Sequence, residues 1–156
     1  MAGWLNLGQH LKINAKKFPD KVAVKDRRRS FTYPRLNRRT NRLAHSLLGL
    51  GLTKGDKVAV LLENCIEIVE IYLATAKTGL IIVPINFRLA GNEIEYIADN
   101  SDARAMVVHD LFATSVAPIK DRLTKIPADN YIMVGQTADG YREYETFIEN
   151  ASPDDP

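Results

Sequence analysis

The feature that most constrains this chain is a set of short, unbroken aliphatic runs recurring between amphipathic stretches. Residues 57–64 (KVAVLLEN), 80–86 (LIIVPIN), 104–110 (RAMVVHD) and 130–135 (NYIMVG) are each dense in Val, Ile, Leu or Met. A strand with one wet face alternates apolar and polar side chains, whereas these runs are apolar on both sides of the pleat. Strands of that kind are covered above and below. The stretches between them have helical period: residues 65–79, 92–100, 111–123, where Pro118 must kink or shorten the helix, and 142–150. Strand and helix alternating with short links predict an α/β fold, with a mostly parallel sheet and helices on both faces.

Ahead of this alternation the pattern differs. Residues 5–17 read as a helix with Leu5, Leu11 and Ile13 apolar and Lys12, Lys16 and Lys17 wetter, and Pro19 helps to end it. Residues 22–25 and 30–33 form two short strands around a charged turn, a small hairpin although no Gly marks the turn. A helix then begins at Pro34, where proline suits the first turn. Leu36, Leu43 and Leu47, with Ala44 and Leu48 beside them, make its apolar stripe. Arg35, Arg38, Arg39 and Arg42 follow i, i+3, i+4, i+7 on the other face, read as solvated.

Hydrophobic residues make up 46% of the 156, enough for a core in one domain's length of chain. The longest apolar run is far too short to cross a bilayer, and the first residues lack the apolar region of a secretory signal. Cys65 is the sole cysteine, so a reducing, cytoplasmic setting fits. Residues 1–55 hold 13 Lys and Arg against 2 Asp and Glu, while residues 56–156 hold 8 against 17. A basic first third raises nucleic acid, an anionic cofactor or an acidic membrane surface as partners. Alternatively, the two parts neutralise each other or face solvent.

The candidate motifs are mostly negative. In GLGLTKGD (residues 49–56) the glycines follow a helix and precede a strand. A phosphate there would meet helix carbonyls, so the segment reads as a helix stop. The Arg35/Arg38/Arg39/Arg42 face supports a stand-alone nucleic-acid-binding module as an alternative function, but the nearby Phe31 and Tyr33 look like core rather than stacking platforms. His10, His45 and His109 share no ligand spacing with another candidate, which leaves no metal site. Cys65 opens a predicted helix, where a thiol pKa falls, yet no base accompanies it. No serine sits in a nucleophile elbow and no carboxylate pair stands out. No catalytic residue is assigned.

Several ordered stretches carry a resemblance. FPDKVAV, then FTYPRLNRRTNRLAHSLLGLGLTKGDKVAVLLENCIEIVEIYLATAKTGLIIVPINFRL, then EIEYIADNSDARAMVV together resemble the N-terminal part of the adenylate-forming superfamily of acyl-CoA synthetases, luciferases and adenylation domains. The match runs from about residue 5 to residue 150. It implies a first subdomain at residues 1–150 and a linker at 151–156 leading toward a phosphate loop. The implied parent is an ATP- and Mg-dependent ligase joining a carboxylic acid, with a fatty acid favoured, to coenzyme A through an acyl-adenylate. The piece alone would catalyse nothing and bind none of these cofactors tightly. Its partner would be the rest of its own chain, and uncovered apolar surface would favour self-association.

The resemblance also places Arg88, in PINFRL, near the nucleotide part of coenzyme A. There it would pair with a phosphate or stack on adenine. The alternatives are a free surface arginine or a pair with Glu93 or Glu95. Asn86 would fix the strand-end turn. The family's usual Ser or Thr helix cap is replaced here by Ala90-Gly91, and Asn92 with Glu95 would supply a capping box instead.

Overall fold

In the computed structural model the described residues are 7–156. The first helix, α1, spans Leu7–Lys17, and Leu5 lies outside the described residues. β1 (Val22–Lys25) and β2 (Ser30–Thr32) pair antiparallel, and α2 (Tyr33–Gly49) follows at once. Asp26 supplies the turn that no glycine marks, since its Oδ1 accepts the N–H groups of Arg28 at 2.7 Å and Arg29 at 2.6 Å.

β3 (Lys57–Leu61), α3 (Ile66–Thr78), β4 (Ile81–Pro84), α4 (Gly91–Asn100), β5 (Ala103–His109), β6 (Tyr131–Val134), β7 (Arg142–Glu143) and α6 (Tyr144–Glu149) complete the alternation. α5 is the single turn Ala113–Val116 between β5 and β6. The five strands form one sheet in the order β4-β3-β5-β6-β7, every pairing parallel.

Successive residues of the central strands point to opposite cores. Val58, Val60, Ala105, Val107, Ile132 and Val134 pack with α2, α3 and α6. Ala59, Leu61, Met106, Val108 and Tyr131 pack with α4, α5 and the turns after it. Both faces of the sheet are therefore dry, which is why these strands lack polar alternation. A third cluster, Leu11, Phe31, Leu36 and Ile66, seats α1 and the hairpin on α2 and α3.

Two predicted elements differ. The helix expected at 111–123 is instead a 3-10 turn (Asp110–Phe112), the one-turn α5 and a second 3-10 stretch (Ala117–Arg122) containing Pro118. Proline removes a donor and crowds the preceding turn, so continuous α-helix cannot form there. The helix expected from 142 starts two residues late, because Arg142 and Glu143 pair with Ile132 and Met133 and extend the sheet.

The arginine face of α2 is also corrected. Arg39 is not solvated: its guanidinium donates from Nε to Glu70 Oε1 at 2.5 Å and from Nη1 to Glu145 Oε2 at 2.7 Å. Glu70 is fully buried on α3, and its other oxygen accepts the hydroxyl of buried Tyr144 at 2.7 Å. Burial pushes the Glu70 carboxyl up, against the pull of Arg39 and then Tyr144 in the other direction. The network ties α2, α3 and α6 together over the sheet. Glu70→Ala would strand the Arg39 charge and the Tyr144 hydroxyl in a dry site. It should cost about 3–5 kcal/mol in chemical denaturation, and Glu70→Gln, which keeps an acceptor for Tyr144, should cost less.

Candidate functional site

With both faces of the sheet occupied by helices, polar chemistry is confined to the strand ends. β3 hands the chain to β4 on one side and β5 hands it to β6 on the other. The carboxyl ends of β3 and β5 therefore flank the topological switch point, where open α/β sheets bind ligands. The loop leaving β4 begins at Ile85, whose N–H still donates to Val60 O at 2.8 Å. Asn86 Oδ1 then accepts the Arg88 N–H at 3.0 Å, and the Leu89 N–H reaches Asn86 O at 3.1 Å. Asn86 thus closes the turn as expected of a short amide beside its own backbone.

Phe87, between them, reaches over the end of β3 to stack on Phe112 after β5, with ring centroids 5.8 Å apart and planes at 22°. Phe112 in turn meets His109 edge-on at 6.3 Å. Next to this aromatic cluster, Asp110 joins the ends of β5 and β6: its Oδ2 accepts the Gln136 N–H at 2.7 Å. Gly135 has φ +100°, and a Cβ there would collide with the Asp110 carboxylate. The Asp110 lock and the Phe87–Phe112 stack were not anticipated from sequence. The only advance signal was a glycine directly after an apolar strand.

Arg88 is exposed, with its guanidinium carbon 5.6 Å from the Phe87 ring centroid. Neither predicted carboxylate pairs with it. Glu93 Oε2 accepts the Ala90 N–H at 2.8 Å, and Glu95 is held by Arg122 at 2.7 and 2.8 Å. The expected Asn92–Glu95 cap is likewise overturned: α4 starts at Gly91, so Ala90 is the cap residue and Glu93 stands three places on. A glutamate at that position satisfies the cap's N–H without any side chain at the cap itself. The Arg88 guanidinium is left with its donors unspent among the described residues. That suits a phosphate oxygen or the face of a nucleobase.

The remaining candidates fall into structural roles. Arg35 and Arg39 lie 4.1 and 5.1 Å from the buried Phe31 ring, so the basic face wraps an aromatic core residue. The segment 49–56 is a helix stop and turn: Leu50 and Gly51 donate N–H groups to Leu47 and Leu48, and Asp56 Oδ2 accepts from Thr53 N and Oγ1. His45 Nε2 lies 3.1 Å from Asp154 O, and His109 ends β5. Among the described residues no three His, Cys, Asp or Glu side chains gather as a metal site. The closing residues lie against the helices: Asn41 donates to Pro153 O at 2.7 Å, and Asp155 meets Lys12 at 2.9 Å and Lys77 at 2.5 Å.

Open α/β sheets bind ligands in the crevice beside the switch point, and Arg88 presents a cation from the turn after the neighbouring β4. The chain belongs to the AMP-binding enzyme family, which it matches over residues 11–156. It is 33% identical to a 3-oxocholest-4-en-26-oate–CoA ligase of Rhodococcus rhodochrous, over 96% of this chain and 28% of that protein. A medium/long-chain-fatty-acid–CoA/3-oxocholest-4-en-26-oate–CoA ligase of Mycobacterium tuberculosis (strain ATCC 25618 / H37Rv) is 40% identical over 76% of this chain and 22% of its own length. Among solved structures, the anthranilate CoA ligase AuaEII in complex with anthranoyl-AMP superposes with a TM-score of 0.92 at 25% identity, over 99% of this chain and 30% of that one. The N-terminal domain of FACL13 from Mycobacterium tuberculosis superposes at 0.86 with 28% identity, over 97% of this chain and 38% of that one. The chain spans less than a third of the length of the curated relatives it matches.

Cys65 also departs from expectation. It caps α3, where the backbone N–H groups favour a thiolate, but burial outweighs them and pushes the thiol up to about 12. The folded protein should therefore resist alkylation by iodoacetamide at pH 8. Unfolding in denaturant should restore reaction at the rate of an ordinary cysteine, measured by mass spectrometry.

Proposed function

We propose that this chain is the leading part of an ATP-dependent, AMP-forming acyl-CoA ligase. The parent joins a carboxylic acid to coenzyme A through an acyl-adenylate. The observation carrying this reading is the family match across residues 11–156, with relatives that are CoA ligases of fatty and steroid acids. A fatty acid is the favoured substrate class, since the Mycobacterium tuberculosis relative carries that description and the superposed anthranilate enzyme is more distant in sequence. ATP and Mg2+ would be held by parts of the parent other than the described residues, and residues 151–156 would lead toward its phosphate loop. The protein would act in the cytoplasm, and no described helix is long and apolar enough to cross a membrane. Residues 1–150 would form one subdomain, inactive by itself and inclined to self-associate.

Within the parent, the contribution of this piece is positioning. Asn86 holds the turn after β4, and Arg88 offers its guanidinium from that turn to the nucleotide end of coenzyme A. The donor set suits that group: a planar cation with no carboxylate partner among the described residues, next to an aromatic ring. Coenzyme A supplies the thiol that accepts the acyl group, while Arg88 only anchors its far end. Two of the four arginines behind the nucleic-acid alternative are engaged within the fold, Arg39 by Glu70 and Glu145 and Arg35 against Phe31, which favours the ligase reading over it.

The whole enzyme should show ATP–pyrophosphate exchange driven by a fatty acid. In it, Arg88→Ala should raise KM for coenzyme A about tenfold, as loss of one charge-assisted contact implies, and leave the exchange reaction unchanged. Equal loss in both half-reactions would place Arg88 in the fold rather than at the cofactor.

A further inference from the structure

Lys77 is singled out by its burial. It stands in the last turn of α3, and its side chain is only 4% exposed. An ammonium so far removed from water is costly unless a carboxylate meets it. Among the described residues its one ion-pair partner is Asp155, 78 positions along the chain, at 2.5 Å. The slot leading there is built closely around it. α1 crosses α3 at Gly8, where a Cβ would stand 2.4 Å from Lys77 Cγ and 3.1 Å from its Cα. Only glycine lets the two helices approach that far.

The segment to which Asp155 belongs has no helix or strand, and residues 152–156 are exposed. Such a stretch ordinarily frays unless it is tied down. Here three successive residues are tied by side chains of three helices. Asn41 of α2, itself 2% exposed, donates to Pro153 O at 2.7 Å, and His45 Nε2 lies 3.1 Å from Asp154 O. Lys12 of α1 meets the second Asp155 oxygen at 2.9 Å, opposite Lys77 of α3. Burial pushes the Asp155 carboxyl up, but its bonds from Lys77 and Lys12 outweigh that and hold it below its ordinary value. The clamp is therefore charged at neutral pH. A slip of one residue along the segment would strand a buried amide and a buried ammonium together, so the anchors fix register as well as path.

The place of this clamp in the fold gives it a use. α3 runs back from the carboxyl end of β3 to the amino end of β4, so its last turn lies at the amino ends of the strands. Arg88 and the switch point are at the other end. Chain that follows Asp155 must run the length of the sheet, in the strand direction, to reach the ligand end. We propose that Lys77 is a positioning residue for ATP: through Asp155 it sets where, and in what register, the parent's chain starts toward its phosphate loop. The inference rests on the ligase reading above. Neither residue touches substrate, and the effect is carried by placement, to which catalytic geometry is sensitive at a distance.

The test is made in the whole enzyme with Asp155→Asn, at a side chain 32% exposed, and Lys77→Met, which keeps an unbranched stem in the slot. Each should raise KM for ATP about tenfold in fatty-acid-driven ATP–pyrophosphate exchange, less than a misplacement of about 1 Å can cost. Transfer of the acyl group from supplied acyl-adenylate should keep its KM for coenzyme A. Because the two side chains act as one unit, the double variant should be no worse than the worse single variant. Lys12→Gln leaves Lys77 on Asp155 and should have a smaller effect. Circular dichroism melts show that the fold survives at the assay temperature, and Asp155→Asn with Lys12→Gln decides the matter where Lys77→Met does not fold. An unchanged KM for ATP in Asp155→Asn overturns the proposal. So do additive effects of the two changes, or equal loss in both half-reactions, which would mark a merely structural pair. Absence of exchange in the unsubstituted enzyme overturns the ligase reading and this one with it, whereas intact exchange with unaltered KM for ATP in the variants removes the clamp alone.

Discussion

Burial of the sheet on both faces is the constraint from which the rest of this structure follows. Over residues 58–61 of β3 and 105–108 of β5 successive side chains go to each core in turn, so polar residues are left to the strand ends, at Lys57, Arg104 and His109. Each aliphatic side chain taken out of water contributes about 1.5–3 kcal/mol, and a charge placed among them would cost more than that unless paired. Function is thereby pushed to the strand ends. There the backbone runs out of ladder partners, and short polar side chains such as Asn86 and Asp110 take over the bonding. The candidate site lies at those ends for the same reason: the middles of the central strands are dry on both faces.

The most fully buried charged group among the described residues shows the rule at work. Glu70 is tolerated because two donors from two other helices, Arg39 and Tyr144, converge on it. A pair of this kind need not add stability over a well-packed apolar substitute. What it adds is definition: α2, α3 and α6 can satisfy these three groups in one arrangement only.

Much of this was legible from sequence. Both-face burial, the parallel class, the hairpin and the order of elements follow from runs of Val, Ile and Leu and their period, and Asn86's turn follows from a local side-chain habit. The misses share one cause, which is partners distant in sequence. Arg39 sits on the wet side of a helical wheel, but Glu145 arrives there 106 residues later. Arg88 has acidic neighbours by sequence, yet Glu95 is claimed by Arg122 from 27 residues away. Arg142 and Glu143 carry no apolar signal and become a strand only because β6 offers a free edge. Cys65 was read from its helix terminus, whereas desolvation decides its pKa. Local patterns reveal what a residue can do with its neighbours in sequence, and folding decides which neighbours it meets.

The lopsided charge of the chain belongs to the same argument. Split into a basic front and an acidic remainder, it could have meant two opposed surfaces, yet several ion pairs cross between the two parts. Lys12 meets Asp155, Arg29 meets Glu67, and Arg39 meets Glu70 and Glu145. Three of the thirteen early cations are thus used to hold early elements to later ones. Lys16, Lys17 and Lys21, at the end of α1 and just before β1, are among the early cations with no carboxylate partner within the described residues. Ile13, Phe18 and Val22 stand exposed beside them, because no described element packs over that side of α1 and the entry to β1.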